Sequence, residues 1–247
     1  SCYHTDNMLT DRQIQLLEYI IQEYMQSPKP VGSTYLVQKY DLGCSAATVR
    51  NEMADLIDQG FLEMVHTSSG RVPTPMAYRF FLQELLEEEE MPVLQEVAIK
   101  QQVWPSRYEI HKLLRELVST LSDFTKELTI ATTDDGFITH AGAVNMLDDK
   151  EFWDIEVAKA ALHLVDSYEL LNDVLKKPAY GSTQDVHCLI GEDLPGEALS
   201  SCSIATARFE TPKKSGYIAI LGPARMNYEK IIPSIRYAKN LVQELIQ

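Results

Sequence analysis

Apolar residues at Ile14, Leu17, Ile20, Ile21 and Tyr24 fall on one face of a helix. Thr10 stands where an N-cap belongs and Gln13 three residues on, the pattern of a capping box, with Leu9 and Ile14 placed to staple the turn. Ser27-Pro28-Lys29-Pro30 ends the helix. A short second helix follows, capped by Ser33 and carrying Leu36, Val37 and Tyr40. Asp41 to Cys44 is a turn, and Ser45 caps a third helix with Val49, Met53, Leu56 and Ile57 inward and Gly60 closing it. Phe61 to Val65 reads as a strand, His66 to Gly70 as a tip, and Arg71-Val72-Pro73 as the return. Thr74 opens another helix with Tyr78, Phe81, Leu82 and Leu85.

The pattern breaks at Glu87-Glu88-Glu89-Glu90-Met91-Pro92, a block of like charge followed by proline. Beyond it, helices are predicted over 107–127, 152–177 and much of 228–246. Strands are predicted over 128–133, 186–190, 203–209 and 217–221. Pro233 is expected to kink the last helix or move its start to about Ile232. The order of elements gives an α+β domain rather than a wound parallel sheet. The expected division is an N-terminal extension or tag remnant over 1–7, a winged helix-turn-helix over 8–82, an acidic linker over 83–105 and the α+β domain over 106–247.

Composition narrows the function. With 45% hydrophobic and 23% charged residues the chain reads as an ordinary globular protein. No apolar run reaches 18 residues and residues 1–7 do not resemble a signal peptide, so a cytoplasmic protein with no membrane contact is expected. None of the four cysteines, Cys2, Cys44, Cys188 and Cys202, lies in a C-x-x-C pair, and His111, His140, His163 and His187 lack metal-ligand spacing. No cofactor or metal is expected. Asp134-Asp135 and Asp148-Asp149 read as turn residues rather than an acid/base pair, and no nucleophile–base or phosphate-loop pattern argues for an enzyme.

The net charge of −14 opposes DNA binding, but it is unevenly placed. Residues 8–82 hold six basic and eight acidic side chains, and residues 83–247 hold sixteen and twenty-seven. Phosphate binding needs local positive charge on one face. The third helix places Ala46, Ala47, Thr48, Arg50 and Asn51 near its N-terminus, where a recognition helix enters the major groove. Arginine can bond guanine twice and asparagine adenine, and a small alanine allows close approach. Ser33 and Ser45 stand at helix N-termini suited to phosphate. The tip His66, Thr67, Ser68, Ser69, Gly70 and Arg71 suits the DNA backbone or a narrow minor groove. Any capped amphipathic helix carries some Arg and Asn, so the pattern alone leaves a plain structural role open.

Several runs resemble the heat-inducible transcription repressors of the HrcA type. They are Leu9 to Gln13, Pro30 to Ser33, Ser45 to Leu56, Gly60 to Leu62, His66 to Thr74 and, near the end, Gly222-Pro223-Ala224-Arg225-Met226-Asn227-Tyr228. Glu151-Phe152 and Ile190-Gly191-Glu192 also fit. The resemblance implies a GAF-like second domain and a homodimer that represses chaperone operons. It implies binding to double-stranded DNA at the inverted-repeat CIRCE element and modulation by the chaperonin. The chain reads as a short form, because Leu128-Thr129-Ile130 follow directly on the helix at 107–127 and much of the family's middle section, with its inserted dimerisation domain, is missing. Dimer contact is then expected through the GAF-like domain and the helices at 74–86 or 107–127. Arg225 is expected to organise its turn through backbone carbonyls. The alternative is a ligand-sensing winged-helix and GAF-like regulator of the IclR type, which differs in having a metabolite pocket as its effector site.

Overall fold

The Thr10 hydroxyl accepts from the Gln13 amide at 3.2 Å, and the Gln13 side chain accepts from the Thr10 amide at 3.0 Å. That reciprocal pair starts α1 (Asp11–Gln26). The computed structural model describes residues 9–65, 70–87, 89–177, 180–183 and 185–246, without the side chains of 180–183. Two units divide at Leu85 and Leu86.

The first unit continues with α2 (Ser33–Lys39), α3 (Ala46–Asp58), the antiparallel pair β1 (Leu62–Met64) and β2 (Arg71–Pro73), and α4 (Pro75–Phe80). The final turn, Phe81–Leu85, is wound as a π-helix. Its core joins Leu16, Leu17, Ile20 and Ile21 of α1 to Leu36, Val49, Met53, Leu56, Leu62, Val72, Tyr78 and Phe81. The α1 stripe is rotated from its expected position: Leu16 is buried, while Ile14 and Tyr24 are only half-buried. Three helices followed by a two-stranded hairpin form a winged helix, as the periodicity predicts.

In the second unit six antiparallel strands lie in the order β4 (Ile138–Ala141), β3 (Leu128–Thr133), β8 (Ser215–Pro223), β7 (Cys202–Glu210), β6 (Val186–Ile190), β5 (Tyr180–Thr183). Alternation along each strand sends side chains to opposite faces. One face buries Leu128, Ile130, Leu189, Ile204 and Leu221 with α7 (Ile155–Asp166) and α8 (Tyr168–Leu175). The other buries Ala131, Phe209 and Ile218 with α5 (Val93–Val103), α6 (Ile110–Thr125) and α9 (Tyr228–Leu245). The result is a GAF-like α+β domain with a sheet covered on both sides.

Four details depart from the sequence reading. Residues 93–103, expected inside an acidic linker, form α5, whose Ile99 and Val103 are buried beside Leu113, Leu114 and Leu117 of α6. Pro92 supplies its extended N-cap and lacks the donor that a helix start would leave unpaired anyway. The helix expected over 152–177 is two, because Ser167 adopts an extended conformation and its hydroxyl accepts from the Leu170 amide, capping α8 anew. Pro233 does not delay the last helix, which begins at Tyr228 under the Asn227 cap. Arg225 organises its turn through carboxylates rather than carbonyls: its guanidinium meets Asp149 at 2.5 Å and both Glu151 oxygens at 2.9 and 3.0 Å. Beside it the Tyr228 hydroxyl donates to the Ala224 carbonyl at 2.8 Å. Asp134 and Asp135 sit in the β3–β4 turn as expected, held by Arg208 and Lys214.

Burial pushes the Glu127 carboxyl up to about 8, with Asp149 and Glu151 adding to the push and Arg225 and Lys230 opposing it. The unfolded chain releases this proton near the ordinary value of 4.5. Between those two pH values the folded state therefore holds the extra proton, and stability falls as pH rises through the window. Glu127→Gln is expected to flatten the fall by up to one proton's worth of slope. Denaturant unfolding at a series of pH values from 5 to 8 reads this, and an unchanged slope refutes it.

Candidate nucleic-acid interface

Helix α3 is fixed from one side and open on the other. Val49, Met53 and Leu56 are buried, while Ala47, Arg50, Asn51 and Ala54 are exposed. Those four positions, spaced three, four and seven residues from Ala47, share one face. Ser45 starts the helix: its hydroxyl accepts from the Thr48 amide at 3.2 Å and lies 3.0 Å from the Thr48 hydroxyl. The helix ends at Gly60, whose φ of +82° is a left-handed turn that favours glycine. Arg12 of α1 pairs with Glu52 and ties α3 to the first helix.

The wing grows from the same frame. Met64 faces Arg71 across the hairpin, and Arg71 also forms a backbone bridge with Val31, both bonds being 2.8 Å. Gly70 lies so close to that bridge that a Cβ there would meet the Val31 carbonyl at 2.4 Å. Any side chain would push the wing base off the turn before α2. Of the expected tip residues, His66, Thr67, Ser68 and Ser69 lie outside the described residues. Ser33 departs from its expected role. Gly32 is the cap, Ser33 is the first helical residue, and its side chain is buried. The Val31 bridge holds the chain extended up to Gly32, and α2 starts one residue earlier than a Ser33 cap would place it.

A buried acid that the sequence reading did not single out, Glu23, anchors α2. It accepts from the Tyr35 hydroxyl and from Lys39 Nζ, each at 2.5 Å, and from the Tyr40 hydroxyl. Burial alone would raise Glu23, but these three hydrogen bonds outweigh it and hold the carboxylate below its ordinary value. Tyr40 in turn stacks on Tyr19 at 3.9 Å. Two of the six basic side chains of this unit, Arg12 and Lys39, are thus engaged by carboxylates. Arg50, by contrast, stands exposed at the front of α3.

Among the described residues no group of three His, Cys, Asp or Glu could hold a metal ion. No described helix is long and apolar enough to cross a membrane.

The family model described as HrcA protein C terminal domain matches residues 75–232. The heat-inducible transcription repressor HrcA of Clostridium tetani (strain Massachusetts / E88) is 39% identical over 137 residues, covering 55% of this chain and 39% of that protein. The repressor of the same name from Clostridium perfringens (strain 13 / Type A) is 25% identical over 327 residues, covering 91% of this chain and 95% of its own. That alignment is longer than the 247 residues present here, so a stretch of the relative has no counterpart in this chain. A crystal structure described only as that of a hypothetical protein overlays with a TM-score of 0.74 at 16% identity, covering 96% of this chain and 98% of that one, which is a likeness of fold. An IclR family transcriptional regulator from Brucella abortus reaches a TM-score of 0.31 at 11% identity over all of this chain and 96% of that one, too slight to bear on function.

The Ser45 cap is the part of this interface most open to a simple test. Ser45→Ala leaves the Thr48 amide without its partner and is expected to cost about 1 kcal/mol of stability. A denaturant midpoint equal to that of the unaltered protein would show that the cap is not in use.

Proposed function

The chain belongs to the HrcA family of heat-inducible transcription repressors, and on that premise we propose that it silences chaperone operons by laying α3 in the major groove of an inverted-repeat operator of the CIRCE type. The reading rests on one observation: Arg50 and Asn51 are exposed near the N-terminus of a helix whose opposite face is locked into a core. Those two side chains read base edges, with Ala47 and Thr48 giving close approach. Ser45, the amide of Ser33 and the wing residues His66, Thr67, Ser68, Ser69 and Arg71 hold the backbone. Two copies bind one operator, because each half-site must meet the same surface in the opposite orientation. The chaperonin maintains the active form, and unfolded proteins relieve repression by occupying it. This part of the proposal rests on the family resemblance. The protein acts in the cytoplasm and carries out no catalysis.

A gel-shift titration against a CIRCE-type repeat, with and without chaperonin, tests the proposal as a whole. Arg50→Ala is expected to cost about 1–3 kcal/mol on the specific site and much less on unrelated DNA. Unchanged specific affinity at fixed salt would refute the assignment of α3. Replacing Arg71 with Ala is expected to weaken binding to many sequences alike and to flatten the salt dependence by roughly one ion equivalent. An unaltered salt slope would remove Arg71 from the contact.

A further inference from the structure

Helix α5 buries some apolar side chains against its own domain and leaves others exposed. Its inner side is held by the burial of Ile99 and Val103, by an ion pair from Lys100 to Glu244 at 2.6 Å and by the Tyr237 hydroxyl donating to the Glu96 carbonyl at 2.7 Å. Its outer side shows Val93 at 70% exposure, Leu94 at 85% and Val97 at 46%, and the turn that follows adds Trp104 at 45% and Tyr108 at 79%. Leu94, Val97 and the exposed Ala98 share one face of the helix, and Trp104 and Tyr108 follow in the turn beyond its end at Val103. Exposed apolar side chains gathered in one strip mark a surface for a partner.

We propose that this face is where two copies of the chain pair, α5 against α5 in antiparallel fashion about a two-fold axis near Ile99. The inference rests on the two-copy reading above and names the surface that serves it. Two features select a second copy as the occupant. The first is self-complementary shape: Leu94 and Trp104 lie five residues on either side of Ile99, so an antiparallel pair sets the aliphatic end of each copy against the aromatic end of the other. Ala98 is exposed between them and is small enough to let the backbones approach. The second is charge. Exposed Glu89 and Glu90 precede α5, and Arg107 follows it. The Arg107 guanidinium lies 4.4 Å from the Trp104 ring and 4.1 Å from the Tyr108 ring, and donates to the Trp104 carbonyl and the Tyr108 hydroxyl. Among the described residues no carboxylate of its own chain pairs with it. The antiparallel arrangement brings Glu90 of one copy alongside Arg107 and Tyr108 of the other. This surface lies in the second unit, the GAF-like domain through which, with the helices at 74–86 or 107–127, the sequence reading expects dimer contact.

Sedimentation equilibrium of the full chain at micromolar concentration tests this. The unaltered protein is expected to be a dimer. Leu94→Glu is expected to raise its dissociation constant at least tenfold with an unchanged circular dichroism spectrum. Trp153→Glu, on an exposed apolar residue away from α5, is expected to leave it intact. Glu90→Arg and Arg107→Glu are each expected to weaken the dimer, and the two together to recover part of the loss, because the pair is then merely reversed. A dimer indifferent to both Leu94→Glu and the charge reversals overturns the α5 interface and leaves the two-copy reading standing. A monomer throughout for the unaltered protein overturns the interface. Operator titration of that monomer then decides the reading itself, which fails if only one chain occupies the repeat.

Discussion

β7 and β8 are buried on both faces along nearly their whole length, and only Arg208, Glu210 and Ser215 near the hairpin end reach solvent. The two strands pair over nine positions, from Cys202 opposite Pro223 to Glu210 opposite Ser215, and helices cover both faces of the sheet they build. Every other element of the second unit is placed by that ladder. β3 adds to the free edge of β8 through six pairs and β6 to that of β7 through four. α9 then packs on β7 and β8 directly, and the turn into it is pinned by Arg225 between Asp149 and Glu151. A one-residue slip in the ladder would exchange the two faces and send Phe209 and Ile218 to the side meant for Ile204 and Leu221.

The parts that could be read from sequence are those where a local chemical signal and the tertiary demand coincide. Thr10 with Gln13, Ser45 before α3 and Gly60 after it mark real helix ends, because capping and left-handed turns act within a few residues. The central strands announce themselves as apolar runs because both faces are buried. What stayed hidden is what depends on distant partners. β4 is an edge strand with half-exposed side chains and no alternation to betray it, and β5 is the other edge. The acidic run masked α5, whose burial depends on α6. The break at Ser167 comes from its cap on α8 and from where Leu171 and Val174 must go in the core, a demand that apolar spacing along 152–177 does not show.

The face expected to meet DNA shows the same division. Arg50 and Asn51 were legible because α3 is amphipathic with an obvious inner stripe. Glu23 was not, because a glutamate in a helix ordinarily reads as a solvated position. Only the fold brings Tyr35, Lys39 and Tyr40 around it. That network spends Lys39 on architecture, and Glu52 does the same with Arg12. Charge counted along the sequence therefore overstates what the winged helix offers to phosphates. On the proposed reading, specificity comes from a few well-aimed groups rather than from a broad positive field.

The bridge between Val31 and Arg71 carries a mechanical consequence. It spans 40 residues of sequence and fastens the base of the wing to the turn that launches α2. The two halves of the reading head therefore behave as a single lever. A perturbation that tilts α2 swings the wing with it, and a force on the wing is felt at the foot of α2.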